Sequence, residues 1–493
     1  MQKYDVIVIG GGLLGCFAAR NLARYKLNTV IMEAREDLCT GISRANTAII
    51  YSGANAKHGT LKSRMCVNAS HTFGDLCGEL GVRYSQCGSI TVCFGPEGEE
   101  KLRDKFEDGI KSGVHGLKLV TREEILKMEP HLNADVRLGL FSPEDGTVIP
   151  WELGLAAAEN AVHNGTELNL KTKVSYIKRV NNGYEVFAGN TVFFTRGIMN
   201  CAGLFADEIL EKVQKPSLRL FPNSGNYIIL DTKITGFVSH IISQETEQRT
   251  KGLTLVPTVD GNILVGPTKT SSGEKDGFET YAEGLDRLGS LVAEVMPELP
   301  MEQTIRSFGA IRPNPYYVHY DSKSGSYVRE EGNIGVFEVN ESKDNPAFLS
   351  LIGIKTPGVT CANELGRDAA DKMAAFFGAE MNPAFDPIRP APKRLAELPI
   401  NERSQLAEEN TDYGKIVCRC RTISEGEIID SIHRNPGAVS VDGVKRRTGA
   451  CSGRCQGSFC TQRIIEILAR ELKIPPESVN KDGPDSYLIG GAR

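Results

Sequence analysis

The chain has 493 residues, with 57 Lys or Arg against 62 Asp or Glu and a net charge of −5. That balance gives no electrostatic case for nucleic acid as the main partner, and no apolar run approaches the roughly 18 residues of a membrane-spanning helix. With 40% hydrophobic and 24% charged residues, the composition is that of a globular protein of about three domains, able to bury its core without disulfide staples. The first apolar stretch, VIVIG, is too short for the core of a signal peptide and lacks a basic flank and a cleavage site. A cytoplasmic protein is expected, at most peripheral to the inner face of the cell membrane through a partner.

In chain order, residues 4–10 (YDVIVIG) predict a strand. GGLLGCFAARNLARY then predicts a glycine turn opening a helix, and residues 28–34 (NTVIMEA) a second strand. Within this β-α-β unit Gly10, Gly12 and Gly15 spell G-x-G-x-x-G. The first permits a tight turn, the second lets the backbone approach a pyrophosphate, and the third lets the helix pack closely on the strand. The helix N-terminus offers free N–H groups and a positive dipole end to the phosphates. Glu33 ends the second strand, where an acidic residue would grip a ribose hydroxyl. The motif predicts a dinucleotide site without separating FAD from NAD.

From about 85 to 340 the chain mixes strands, Gly/Pro turns and a few helices. Residues 383–400 carry five prolines in eighteen positions and read as an extended linker or a strap over the surface. A domain boundary is expected near 385–412. The thirteen cysteines are an odd number, and a reducing compartment argues against a disulfide framework. Cys16, Cys39, Cys66, Cys77, Cys87, Cys93, Cys201 and Cys361 are scattered and read as buried small hydrophobes. Cys418, Cys420, Cys451, Cys455 and Cys460 crowd into the last fifth of the chain and argue for a metal centre.

Several segments resemble the D-amino-acid-oxidase and glycerol-3-phosphate-dehydrogenase group of flavoproteins. TGISRAN (40–46) resembles that group's second flavin loop, and GLFSPEDGTVIPWEL (139–153) its re-entry into the flavin domain. IMNCAGLFADEI (198–209) resembles its strand-turn-helix, and KGLTLVPTVDGNILVGPT (251–268) a recurrent hairpin. IRSFGAIRP (305–313) and GIKTPGVT (353–360) resemble two late segments that approach the flavin. The resemblance spans about residues 1–380. It implies an α/β Rossmann-like FAD domain with an inserted mixed, mostly antiparallel β-sheet substrate domain, plus a small C-terminal α-helical domain. The FAD-dependent part would run over 1–382, with FAD pieces near 1–85, 140–215 and 340–382. The substrate domain would be near 86–139 and 216–339, the linker 383–412, and the last domain 413–493. On this resemblance FAD is held by Gly10, Gly12, Leu13, Leu14, Gly15, Glu33, Ala34, Ser43, Asn46, Ala202, Gly203, Gly353, Gly358, Val359 and Thr360.

A flavin dehydrogenase must orient its substrate, hold the substrate's charge and, for an alcohol, accept the hydroxyl proton. Arg312 matches an arginine that relatives use on a substrate anion, which a planar guanidinium meets bidentately. Lys355 sits where related dehydrogenases carry a lysine, and would hold a phosphate or the reacting oxygen. Relatives carry a histidine in a segment like N-x-G-[VL]-[IL]-H-[AS]-G; here Asn46–Gly53 places Tyr51 there. A phenol titrating near 10 is a poor base at neutral pH unless cations lower it. Either Arg312 or Lys355 tunes Tyr51, or another group takes the proton, or an amine substrate needs none. His58 and His319 read as structural or exposed. Asn226 stands where relatives often have a glutamate.

The C-x-C of Cys418 and Cys420, followed by the C-x4-C of Cys455 and Cys460, resembles the bacterioferritin-associated-ferredoxin-like domain. That resemblance implies a 2Fe–2S cluster on these four thiolates, with Cys451 a fifth candidate where relatives usually have glycine. A structural zinc site is the alternative, since zinc also takes four thiolates. Ser424 and Glu427 predict a capping box. Ile464, Ile467, Leu468 and Leu472 fall on one face of the last helix. The run Lys445-Arg446-Arg447 reads as a solvated face or a dock for an acidic redox partner.

As a whole the chain resembles the anaerobic-type glycerol-3-phosphate dehydrogenase large subunit. It implies oxidation of a small anionic substrate, first glycerol 3-phosphate, with electrons passing through the cluster to a redox protein or a quinone. The alternatives are a 2-hydroxy-acid or amino/imino-acid dehydrogenase, an electron-transfer subunit without its own substrate, and a cysteine-rich regulatory sensor.

Overall fold

The computed structural model describes residues 1–246, 252–270, 274–331, 338–341 and 347–490. Lys251, the first residue of the hairpin segment, lies outside them. Two sheets organise the first 380 residues. The first runs in the order Val174–Val180, Gly183–Ala188, Thr191–Asn200, Gln2–Ile9, Thr29–Met32, Glu167–Asn169. Gln2–Ile9 is central and pairs in parallel with both neighbours. Phe348–Ile352 adds in parallel to the far half of Thr191–Asn200. Val6, Ile7 and Val8 are fully buried because both faces of the strand are covered, which is why it reads as a continuous apolar run. Helices Leu13–Leu22 and Ala362–Phe377 pack on one face, and the other closes over Tyr184, Phe193 and Leu210.

The second sheet has nine strands, ordered Ser326–Arg329, Thr304–Asp321, Leu218–Leu230, Ile263–Val265, Thr254–Pro257, Ile241–Gln244, Ser89–Cys93, Leu138–Ser142, Lys118–Thr121. Its pairings are antiparallel except that of Ile241–Gln244 with Ser89–Cys93. Leu138–Ser142 pairs wholly inside this sheet, so the chain leaves it just after Ser142 rather than near 140. Helix Ala282–Val295 covers it with Leu288, Leu291, Val292 and Val295. Asn226 turns toward this helix: its amide donates to the Glu279 carbonyl at 3.3 Å, and a Cβ on Gly284 would collide with its oxygen.

The proline-rich stretch lies along the first domain as a strap. Arg389 pairs with Glu159 at 2.7 Å and donates to the Leu80 carbonyl, while Asn160 donates to the Asp386 carbonyl. The helix Ile400–Glu409 begins where that stretch ends, within the linker expected over 383–412. Beyond it, helices Glu425–His433, Val441–Thr448 and Thr461–Leu472 close around Ile428, Ile432, Val444, Ile464, Ile467 and Leu468. The Ser424/Glu427 capping box is formed.

The basic run is not a solvated face. Arg446 and Arg447 are buried and converge on the Asp37 carboxylate, which is 2% exposed, at 2.7 and 2.8 Å. Arg446 also reaches Asp482, which in turn holds Arg44. Burial opposes the Asp37 charge, but Arg447 and Arg446 outweigh it and bring its pKa to about 2. The run thus docks the last domain onto the first. Arg421, beside Cys420, makes a second tie through Asp260, which Arg83 also holds. Among the described residues no helix is long and apolar enough to cross a membrane.

Candidate functional site

At the C-terminal edge of the first sheet, Gly10 turns the chain at φ +104°, and a Cβ there would stand 2.5 Å from the Cys201 carbonyl oxygen. A Cβ on Gly15 would overlap the Gly10 carbonyl oxygen. Gly12 caps helix Leu13–Leu22 with no side-chain hydrogen bond, so backbone N–H groups face the cleft. The Leu13 N–H donates to Ser43 Oγ at 2.9 Å, which draws the loop carrying Ser43 and Asn46 over the helix start. Glu33 Oε2 accepts from the Gly11 N–H at 2.6 Å and so stands beside the glycine turn. Asn46 shapes its own loop, accepting from the Ala48 N–H and donating to the carbonyls of Ile42 and Ser43. Gly203, with φ +57° and nothing within 4 Å of where a Cβ would stand, leaves the opposite wall open. These are the features a pyrophosphate and ribose require: a helix N-terminus that Gly12 leaves without a side-chain cap and a carboxylate beside it. Leu14 lies in the same first helical turn, Ala34 at the exposed rim and Ala202 at the opposite turn. The cradle fits a dinucleotide.

The turn holding Gly353, Gly358, Val359 and Thr360 heads helix Ala362–Phe377. Thr360 Oγ1 accepts from the Tyr51 N–H at 3.0 Å, joining this turn to the flavin loop's end. Burial pushes the Tyr51 phenol well above its usual range, and the neighbouring Asp145 and Tyr227 push the same way. Only the Thr47 hydroxyl pulls appreciably the other way and burial outweighs it, so the tuned-phenol base is not what this environment makes. Asp145 anchors the strand end, accepting from the Ser52 N–H at 2.6 Å and from Ser89 Oγ at 2.7 Å.

Beside Tyr51 the fold assembles four cations. Lys355 donates to Asn314 Oδ1 at 2.7 Å, and Arg312 donates to the Thr268 carbonyl at 3.1 Å while opposing the rise that burial gives the Tyr227 phenol. Burial first, then Lys62, Arg312 and Lys269, bring the Lys355 pKa down to about 8. Among the described residues none of the four forms an ion pair with a carboxylate. Four cations near enough to oppose one another's charge, with no carboxylate paired to them among the described residues, mark a place that favours an anion. Arg312 and Lys355 are the two expected from the sequence. Lys62 and Lys269 come from a helix start and a hairpin end, and no local pattern marks either. His58 and His319 stand elsewhere, exposed and paired with Ser112 and Glu330.

In the last domain the thiols of Cys418 and Cys460 interact, as do those of Cys420 and Cys455. Cys451 Sγ lies 3.4 Å from Cys460 Sγ. Cys418, Cys451 and Cys460 are buried; Cys420 is exposed. Four thiolates held at about 2.3 Å by one zinc stand about 3.8 Å apart, all mutually. Among the described residues no three cysteine sulfurs lie within 4.8 Å of one another. The thiols form pairs rather than one tetrahedron, which fits a cluster of two irons better than a single ion.

The sequence matches the model of the FAD dependent oxidoreductase family over residues 5–372 and that of the BFD-like [2Fe-2S] binding domain over 416–470. It is 35% identical to a glycerol 3-phosphate dehydrogenase of Caloramator mitchellensis, covering 99% of this chain and 98% of that one. The fold is similar to that of L-alpha-glycerophosphate oxidase from Mycoplasma pneumoniae, solved with FAD bound. There the TM-score is 0.72 at 22% identity, over 80% of this chain and 100% of that one. It is also similar to a Bacillus halodurans glycerol-3-phosphate dehydrogenase complexed with FAD, with a TM-score of 0.68 at 16% identity, over 96% and 91% of the two chains.

Proposed function

The chain belongs to the FAD dependent oxidoreductase family and carries a BFD-like [2Fe-2S] domain, and on that premise we propose that it oxidises glycerol 3-phosphate to dihydroxyacetone phosphate and delivers the electrons to an external acceptor. The observation that carries this reading is the cation set of Lys62, Lys269, Arg312 and Lys355, which pairs with no carboxylate among the described residues. A phosphate dianion meets it in charge, and a guanidinium fork with ammonium groups is how proteins bind phosphate. The Caloramator relative, alike over its whole length, is a glycerol 3-phosphate dehydrogenase.

FAD, when bound, removes a hydride from the carbon bearing the hydroxyl, and the 2Fe–2S cluster carries electrons singly. The first would be held by Gly10, Gly12, Gly15, Glu33, Ser43 and the turns at Ala202–Gly203 and Gly353–Thr360. The second would be held by Cys418, Cys420, Cys455 and Cys460. Arg312, Lys269 and Lys62 hold the phosphate and fix the substrate's other end. Tyr51 keeps its proton and forms the pocket wall as a donor. Lys355, brought down to about 8, accepts the hydroxyl proton at Nζ, a role that asks for a pKa close to the working pH. Electrons leave on the exposed side of the last domain, where Cys420 is exposed and Phe459 is 84% exposed. A redox protein or a membrane quinone reached through a partner subunit is the acceptor this geometry suits.

Steady-state oxidation of glycerol 3-phosphate, 2-hydroxyglutarate and glycerol with an artificial acceptor tests the reading. It expects turnover of the first alone, with Arg312→Ala raising KM at least about tenfold, since hydrogen bonds to charged groups are worth roughly 1.5–3 kcal/mol. Turnover of the 2-hydroxy acid in preference would assign the same cations to a carboxylate.

A further inference from the structure

Five thiols share the cysteine module, one more than a four-thiolate cluster takes. Three observations concern the fifth. Cys451 sits at φ +66°, in the left-handed region that side chains avoid and glycine fills without strain. Its side chain is nonetheless buried at 5% exposure. Its sulfur is 3.4 Å from Cys460 Sγ, close to the spacing of two thiolates on one metal. The surroundings accommodate it: Gly457 lacks the Cβ that would come within 3.3 Å of the Cys451 sulfur. Cys451 is thus held, at a backbone cost, against one particular member of the set.

We propose that Cys451 is a reserve ligand of the cluster, taking the place of Cys460 when that thiolate is lost. The proposal rests on the cluster reading of the last domain and concerns which thiols serve it. The exchange is a ligand substitution with no change in oxidation state. The Cys451 thiol gives its proton to solvent as its sulfur bonds to iron, and the Cys460 sulfur leaves and takes up a proton. Cys460 is the member at risk of replacement because the fifth sulfur stands in contact with its sulfur, whereas Cys418 receives only the backbone and a weaker charge effect of Cys451. Cys420 and Cys455, on the exposed side, pair with each other, so no such substitute stands next to them.

The test uses the full chain purified without oxygen. Iron and acid-labile sulfide per chain, and the electron paramagnetic resonance of the dithionite-reduced protein, are measured for the parent and four variants. Cys451→Ala is expected to keep the parent's content and signal. Cys460→Ala is expected to keep at least about half the iron and sulfide, with a shifted signal that reports the exchanged thiolate. Cys455→Ala and the double variant Cys451→Ala/Cys460→Ala are expected to lose both. Loss of the cluster from Cys460→Ala, with FAD content and far-ultraviolet circular dichroism unchanged, would overturn the proposal. So would loss from Cys451→Ala, which would make it an ordinary ligand. If Cys460→Ala is not recovered folded, Cys460→Ser is read in the same way against Cys451→Ala/Cys460→Ser. Zinc without sulfide in the parent would overturn the cluster reading itself, a failure visible before any variant is made.

Discussion

Lys355 carries the sharpest residue-scale consequence. Burial and its three cationic neighbours bring it to about 8, so the neutral amine gains population across the physiological range. If that amine accepts the hydroxyl proton, kcat/KM should rise with pH and level off above about 8, because kcat/KM reports the free enzyme. Lys355→Met should remove the limb and lower kcat by about 10²–10⁴-fold. A kcat/KM that instead falls above pH 8 would make Lys355 a phosphate-holding cation. Tyr51→Phe should leave the limb in place, since burial keeps that phenol protonated throughout. At this scale the sequence was half legible. Arg312 and Lys355 lie in segments with a readable pattern around them. Lys62 and Lys269 are single lysines on a helix and a hairpin, and only the fold brings positions 62, 269, 312 and 355 to one place.

Among elements, the glycine turn is the most legible, because its requirements are local. The strand, the turn and the first helix occupy consecutive residues, and the contact that forbids a Cβ on Gly15 comes from the same unit, although the one on Gly10 comes from Cys201. Gly15→Ala would drive its methyl into the Gly10 carbonyl. The variant should therefore purify with little FAD while its [2Fe-2S] absorbance remains. The run at 445–447 is the opposite case. Three consecutive basic residues on a short helix read as solvated until Asp37, more than 400 positions away, is seen to neutralise two of them. Asp37→Asn leaves Arg447 without its carboxylate and should weaken docking by roughly 3–5 kcal/mol, the usual result of breaking a buried pair. Limited proteolysis should then cut faster within 383–412. The acid dependence has a fixed sign. Asp37 is held below its unfolded value of about 4, so its stabilisation, about 2 kcal/mol, is complete above pH 4 and is lost as the pH falls toward 2. Cleavage in the strap should accelerate over that interval.

At the scale of the whole molecule, a dinucleotide cradle, an anion pocket and a five-thiol module sit on one chain, and buried ion pairs join the parts. The domain order was legible because each domain has its own compositional signature: glycine turns, then mixed strands, then prolines, then clustered cysteines. The docking was not, since it rests on Asp37, Asp260 and Asp482 reaching across domain boundaries. Fixed docking places the cysteine module against the loop that carries Ser43 and Asn46, through Arg44 and Asp482. It follows that reduction of one centre should reach the other within the same chain, without a collision between molecules.

Glycerol 3-phosphate should deliver electrons to both centres. The direct measurement is an anaerobic titration of the purified chain with glycerol 3-phosphate, following the absorbance of the flavin and of the cluster together. Both centres should bleach, at a rate that does not depend on protein concentration. If neither centre bleaches while dithionite reduces both, the substrate assignment is contradicted.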